Sequence, residues 1–573
     1  MNPRYPVVNV GNKQNPSYLP VEVCVIMPGQ SSQSKLDPEQ TAAMIGVAVR
    51  PPHVNAKSIA ENSSATVGLS QQGNIQMLQY GVSIGTKMIT VPGRVLAPPQ
   101  VRYGNTVPFM FPASWNQQDR DKRYVKFNAG TTLRSWGAIL IAMRGSPPPA
   151  FNSSAQLKET VFEFKNALNE LGIKAPNPND PQKLELAGPD DPALETALCD
   201  RSQPELLLVI LPEKKAPLYN RIKHIGDTKA GRHTVCVVGS KIANPRGRDK
   251  YIANVALKFN LKLGGRNQEI DNSKLGVISE DKTMVVGLDV THPSPGSAGT
   301  APSIAGMVAS TDKFLAQWPA IIRLQSVARQ EMVSDLKLML KSRSNLWKSK
   351  GKHAEYPENI LLYRDGVSEG QYDLVLGKEL PLLREACAEA YPAAATKKGL
   401  PRMTIAVVGK RHHTRFYPTV LEKGKSDDNG NCCNGTIVDR HVTEARNWDF
   451  FLQAHNALQG TARPAHYFIV LDEIFAKRPV KAPFANTADV FEDLTHNMCY
   501  LFGRATKAVS LCPPAYYADL VCERARCYLA GHFDMATPAM TPAQSEAGDG
   551  GPGEAEQKDI TVHPNLRDTM FYI

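Results

Sequence analysis

Residues 284–293 read MVVGLDVTHP. Met284, Val285, Val286 and Leu288 form a short apolar run rich in β-branched residues, the pattern of a buried strand. Asp289 interrupts it. A carboxylate in the middle of such a strand is costly to bury unless it is paired or holds a metal. The plainer alternative is an Asp at a strand end, capping the turn at Thr291, His292 and Pro293. A second stretch, NILLYRDG at 359–366, repeats the form, an apolar strand that ends in Asp365. Two strands that each deliver an Asp at the carboxyl end suit hard cations, which take oxygen ligands. Two such cations can stabilise the attacking and leaving oxygens of a phosphodiester.

Outward from these strands the chain reads as an α/β unit over about 276–573. Strands are expected at 284–290, 303–310, 359–365, 404–408 and 467–471. A long helix is expected at about Gln325–Leu340, carrying Glu331, and another near Glu492–Phe502. The last helix, Pro514–Tyr528, carries Asp519 between Ala518 and Leu520. An Asp there is an odd group to bury without a partner; the alternative is that it faces solvent. Upstream, strands at 138–143, 206–211 and 234–238 alternate with helices at 153–171, 218–225 and 250–263. That alternation implies a parallel, Rossmann-like α/β domain over 131–275. In it Tyr219 and Lys223 are spaced i, i+4, and so are Lys258 and Lys262, which puts each pair on one helix face. Two such faces could grip a terminal phosphate, helped by the free N–H groups of helix N-termini. Solvated lysine faces are the ordinary alternative.

Residues 1–130 are rich in Pro, Gly, Asn, Gln and Ser and show no self-contained core pattern. Short strand-like pieces (21–27, 88–91) and a helix near Pro38–Val47 suggest a linker that wraps other domains. Residues 536–558 (ATPAMTPAQSEAGDGGPGEAEQK) have the composition of a disordered surface loop. Over the 573 residues, 42% hydrophobic and 21% charged content are ordinary for a globular protein. No run approaches the roughly 18 apolar residues of a transmembrane helix. The first residues lack the apolar core of a signal peptide. The ten Cys are scattered, without CxxC spacing, and read as reduced thiols of a cytosolic protein. A net charge of +11 and a pI near 9.0 fit a polyanionic partner.

Six motifs in order resemble the C-terminal half of eukaryotic Argonaute proteins: LKLGG (261–265), DVTHP (289–293), YRDGVSEGQ (363–371), KRHHTRF (410–416), QGTARPAHY (459–467) and PPAYYADLV (513–521). YLPVEVC (18–24) resembles the family's linker after the PAZ domain. The resemblance implies an L2–MID–PIWI lobe: linker L2 over 1–130, MID over 131–275 and an RNase H-fold PIWI domain over 276–573, with the N and PAZ domains outside it. It implies a small-RNA-guided silencing protein, a monomer in the cytoplasm, that binds a 5′-phosphorylated guide RNA and cleaves complementary target RNA. Cleavage would require Mg²⁺, with Mn²⁺ as a substitute, and leave a 3′-hydroxyl and a 5′-phosphate. The alternative is a guide-binding platform that silences through recruited partners, with Trp-containing proteins as one class. The insertion at 423–434 and the segment 536–558 differ from animal and plant members and suggest a fungal, quelling-type protein.

The resemblance also assigns roles. Asp289, Glu331, Asp365 and Asp519 match the catalytic tetrad, with Asp289, Asp365 and Asp519 as metal ligands. Asp519 stands where many animal members carry His. Tyr219 matches the tyrosine that stacks on the first guide base. Lys223, Lys258 and Lys262 match the lysines around the guide 5′-phosphate, and Arg504 and Arg524 match arginines that reach toward it. Where the family often has Gln, two positions after His233, this chain has Val235, so His233 or Thr234 is expected to make that phosphate contact. Arg411, His413, Ser510 and Tyr516 match residues along the guide backbone, and Glu213–Ala216 the loop that reads the first base.

Overall fold

The computed structural model describes residues 5–530 and 560–573, except 13–14, 26, 28, 30–35, 37, 70, 86, 105, 146–149, 152, 294–300, 326–328, 398 and 423. The expected loop at 536–558 lies outside the described residues.

Two sheets organise the chain. The smaller has four strands, all parallel, in the order 233–238, 206–211, 136–143, 182–186. Its central strand, LLLVIL at 206–211, is buried at every position, as a parallel strand covered on both faces must be. Helices Ser154–Glu170 and Ala216–His224 connect strands of this sheet, and helix Arg248–Lys262 follows its last strand. Ser153 caps the first, accepting from Gln156 N–H at 3.1 Å. Strand Gln182–Leu186 and helix Pro192–Cys199 were not legible from the sequence: QKLEL is mostly polar, and four of its five residues are not buried.

The larger sheet has nine strands, in the order 320–324, 304–309, 283–291, 359–365, 402–409, 465–472, 448–453, 436–438, 94–95. The central trio 283–291, 359–365 and 402–409 is parallel; all other neighbours are antiparallel. Helix Pro513–Tyr528 packs across strands 283–291 and 304–309. A large mixed sheet with helices on its faces is the RNase H-like architecture of a PIWI domain.

Three readings are corrected. Residues 325–340 are not one helix. Ala320–Leu324 is a strand and the helix is Leu336–Ser349, so Glu331 sits on the connecting loop. The apolar pattern runs through both elements and hides the break. Val21–Val23 is a 3₁₀ turn rather than part of a strand, and 88–91 is irregular; the strand lies at Arg94–Val95. The helix near Glu492–Phe502 spans Thr487–Met498, capped by Asn486, which accepts from Asp489 N–H at 2.9 Å.

The first 130 residues are mixed. Helices Pro38–Ala48, Pro52–Thr66 and Gln71–Gln79 are largely exposed. From Arg94 onward the segment joins the main core: Val101, Tyr103, Trp115 and Phe127 are buried within it. All ten cysteines are free thiols.

Candidate functional site

Strand register brings the first two acids together. Strands 283–291 and 359–365 pair in parallel with Leu288 opposite Arg364, so Asp289 and Asp365 are the next step along each. The third acid comes from the helix. It lies so close to the sheet that a Cβ on Gly287 would fall 1.9 Å from the Pro514 carbonyl oxygen. That contact seats Asp519 beside the strand ends. Glu331 enters from its loop, with His292 Nε2 2.7 Å from Glu331 Oε2. Arg364 Nη2 donates to the Glu331 backbone carbonyl at 2.7 Å and lies 2.9 Å from Oε1. Gly366 separates the acids: its φ is +89°, and a Cβ there would stand 3.2 Å from Asp289 Oδ1 and 3.6 Å from Glu331 Oε1.

Burial and mutual repulsion act together on these groups. Burial raises the Asp289 carboxyl, opposed by Arg364. Burial, then Asp289 and Asp519, push Asp365 well above the carboxylate range. Asp519 is pushed up to about 7 by burial, then by Asp289 and Glu523. Arg364 is a fully buried cation wedged behind them; it also pairs with Glu379, 3.2 Å from Nη2 to Oε1. A set of carboxylate oxygens with raised pKa values suits a hard divalent cation, and the bare Gly366 leaves room beside two of them. Among the described residues no three His, Cys, Asp or Glu side chains are gathered closely enough to close on a metal.

A second cluster has the opposite sign. Lys223 is buried and donates to Thr234 O at 2.6 Å and Thr234 Oγ1 at 2.9 Å; its Nζ lies 5.4 Å from the centre of the Tyr219 ring. Lys262 is buried and donates to the Phe571 carbonyl at 2.5 Å. Arg524 donates to Phe571 O at 2.7 Å, Tyr572 O at 3.0 Å and Asp227 Oδ2 at 2.8 Å. Tyr528 donates to the same Asp227 oxygen at 2.8 Å. Lys258 has no hydrogen-bond partner among the described residues; burial, then Arg504, bring it down to about 7. Burial, then Lys223 and Arg524, hold Lys262 well below its ordinary value. His233 is buried with Nδ1 unpaired, and burial, then Lys262, keep it neutral. The Thr234 hydroxyl already accepts from Lys223, so of the two residues His233 has the free ring nitrogen.

Tyr219, Lys223, His233, Thr234, Lys258, Lys262, Arg504 and Arg524 thus form one electrostatically connected group. Sequence reasoning missed Asp227, Tyr528 and the Phe571 and Tyr572 carbonyls. Backbone acceptors carry no residue-type signal, and the partners stand some 300 residues apart in the chain: 297 between Arg524 and Asp227, 309 between Lys262 and Phe571. Arg411 and His413 are exposed. Arg411 lies near enough to lower both Asp289 and Asp519. Ser510 accepts from Lys410, and Tyr516 stacks on Phe502 with centroids 4.6 Å apart. Tyr516 lies near both Arg504 and Asp519, and Lys410, which donates to Ser510, lies near Asp365 and Asp519.

Residues 206–530 match the Piwi domain and residues 54–103 the Argonaute linker 2 domain. The chain belongs to the Argonaute family, as a Piwi-domain protein with linker 2 in front of it. It is 33% identical to protein argonaute MEL1 of Oryza sativa subsp. japonica, over 99% of this chain and 53% of that protein. It is 31% identical to protein argonaute 5 of Arabidopsis thaliana, over 99% of this chain and 55% of that protein. The chain thus spans about half the length of the curated relatives it matches. Among solved structures it is similar to Kluyveromyces polysporus Argonaute with a guide RNA (TM-score 0.77, 25% identity, 100% of this chain and 63% of that one). It is also similar to the MID–PIWI domains of N. crassa QDE-2 (TM-score 0.54, 31% identity, 78% of this chain and 100% of that one). Among the described residues no helix is long and apolar enough to cross a membrane.

Proposed function

We propose that this chain is the guide-holding and target-cutting lobe of a cytoplasmic small-RNA-guided silencing protein, with L2 over 1–130, MID over 131–275 and PIWI over 276–573. The observation that carries the reading is the convergence of Asp289, Asp365 and Asp519 at one end of one sheet, with Glu331 anchored beside them and none of the four acids replaced. Asp289, Asp365 and Asp519 would hold Mg²⁺, with Mn²⁺ as a substitute. Bound there, the metal would supply the Lewis acid that generates a nucleophilic hydroxide and stabilises the leaving 3′ oxygen.

The chain's own residues do the rest. The raised carboxyls must lose protons to bind a cation, so occupancy and deprotonation are linked. Arg364 favours the ionised form of Asp289 and, with His292, fixes Glu331. Arg411 lies beside Asp289 and Asp519, where it can contact a backbone phosphate. Lys223, Lys258, Lys262 and Arg524 would take the guide 5′-phosphate, and Tyr219 would stack on the first base. Phosphate contacts set register, while base pairing between guide and target carries the sequence. Products would be a 3′-hydroxyl and a 5′-phosphate.

The test is binding of one short RNA bearing a 5′-phosphate or a 5′-hydroxyl, followed by cleavage of a complementary RNA in Mg²⁺. A phosphate preference followed by a single cut is the expected result. Equal binding of both RNAs would remove the guide pocket. A second reading, a binding platform without cleavage, draws on the absence, among the described residues, of three donors close enough for a metal, and on Glu331 being held by His292 and Arg364. Tight guide binding with no cut in Mg²⁺ or Mn²⁺ would favour it.

A further inference from the structure

A cavity of about 550 Å³ lies between strand 320–324, helix 336–349 and the segment 560–571. It shares no lining residue with the Lys223–Lys258–Lys262–Arg524 cluster. Three arginines line it, Arg323, Arg343 and Arg567, against one aspartate, Asp568, for a net +2. Arg343 is the unusual one. It is buried; its Nη2 donates to Ser342 Oγ at 3.0 Å, and Nε and Nη1 have no hydrogen-bond partner among the described residues. A buried guanidinium with open donors is unfavourable unless a charged acceptor joins it. Asp568 does not fill that role with a hydrogen bond. Its carboxylate stands 3.9 Å from Arg567 Nε, and its carbonyl accepts from Lys350. Burial lowers Arg343 to about 10, so it still carries its charge at neutral pH. Arg323 Nη1 donates to the Ile322 carbonyl at 3.0 Å, and its Nε stands 3.7 Å from Asp335.

The rest of the wall mixes apolar residues, among them Leu346, Ile560, Val562 and Phe571, with the neutral polar Ser342, Asn345 and Thr561. A cavity of this size lined by apolar residues and a few polar and cationic groups is the usual form of a small-ligand site, and arginines favour phosphate through their paired N–H groups. We infer that this cavity binds a small organic phosphate of nucleotide size, its phosphates on Arg323, Arg343 and Arg567 and its ring against Leu346, Val562 and Phe571. Phe571 touches both sites: it lines the cavity, and its carbonyl accepts from Lys262 and Arg524. A ligand here therefore bears on the wall of the basic cluster, which ties this inference to the proposed function only through that shared residue.

The experiment is calorimetric titration of ADP, adenosine and pyrophosphate into the full 573-residue chain already loaded with a 5′-phosphorylated RNA, so that the first phosphate site is filled. The expected result is one ADP per chain, at least tenfold weaker binding of adenosine and of pyrophosphate alone, and a tenfold or greater loss of ADP binding in Arg323→Ala/Arg567→Ala. Both substituted residues line the cavity, and unchanged thermal unfolding of the variant would show that it folds. Undetectable ADP binding at millimolar concentration overturns the inference. So does equal binding by the double variant, or a loss caused by Lys258→Ala/Lys262→Ala instead. RNA loading is measured separately; if loading fails, the titration is run on the free chain, and the two double variants still tell the sites apart.

Discussion

The two charged clusters solve one problem in opposite ways. Each gathers like charges in a buried place, and each is under electrostatic stress until a partner of opposite sign arrives. The acidic group is mounted on the sheet: Asp289 and Asp365 are neighbours because strand register makes them so, and Asp519 is held by the close approach of a helix to Gly287. Its geometry follows from regular secondary structure. The basic group is assembled from pieces: two helices beside the smaller sheet, a third that belongs to the larger one, and the carbonyls of Phe571 and Tyr572. A site built on register tolerates distant change. A site assembled at a seam depends on every piece that meets there.

The largest expected effect tests the acidic side. Asp289→Ala or Asp365→Ala should lower cleavage of a complementary RNA on the order of 10³-fold or more, with guide affinity unchanged; single-turnover cleavage beside filter binding reads both. Retained cutting would remove the assignment. Next, Lys258→Ala/Lys262→Ala should abolish the preference for a 5′-phosphate, a loss of roughly 10²-fold for two charge-assisted contacts, while a preassembled guide–target duplex is still cut. If cutting fell as steeply as binding, the two sites would not be separable as drawn.

A third prediction sets the clusters against each other by pH. Folded Asp519 titrates at about 7 against an ordinary 3.8, so over that interval the folded state keeps a proton the unfolded state has lost. The stability it contributes below pH 3.8 is lost as pH rises to about 7. Lys258 runs the other way. Its folded value of about 7 lies below the ordinary 10.5, so its stability is present at high pH and lost as pH falls toward 7. In metal-free, RNA-free protein, Asp519→Asn should raise the melting temperature by a few degrees at pH 8 and little near pH 4. Lys258→Met should raise it at pH 6 and little near pH 10. A difference that stays flat across pH would show that neither charge is strained. The smallest effect is Gly366→Ala. The positive φ and the crowding of Asp289 should cost about 1–2 kcal/mol in chemical denaturation and slow cutting without touching guide affinity.

The comparison also explains what could be read from the chain. Asp289 and Asp365 were legible because each ends an apolar run, and Asp519 because it sits among apolar neighbours. Lys258 and Lys262 were legible through helical spacing. Glu331 was found by resemblance but put on a helix, since the apolar pattern crosses the real break between Leu324 and Leu336. Asp227 and the Phe571 and Tyr572 carbonyls left no local trace, because their meaning comes from contacts with residues far away in sequence. The motif order gave the family; the insertion at 423–434 pointed to a quelling-type relative, and similarity to N. crassa QDE-2 stands with it.

The short strand Arg94–Val95 has a practical consequence. It is the last rail of the nine-stranded sheet, laid against Thr436 and Ile437 by a segment that sequence order assigns elsewhere. Arg94 also ties Asp439, Asp489 and the buried Glu492 to that edge. A clone cut at residue 131 would keep both clusters whole yet leave a bare strand edge, the kind of surface that recruits another chain, and a buried glutamate stripped of its cation. The shortest piece worth expressing therefore begins upstream of Arg94, well before either charged site appears in the sequence.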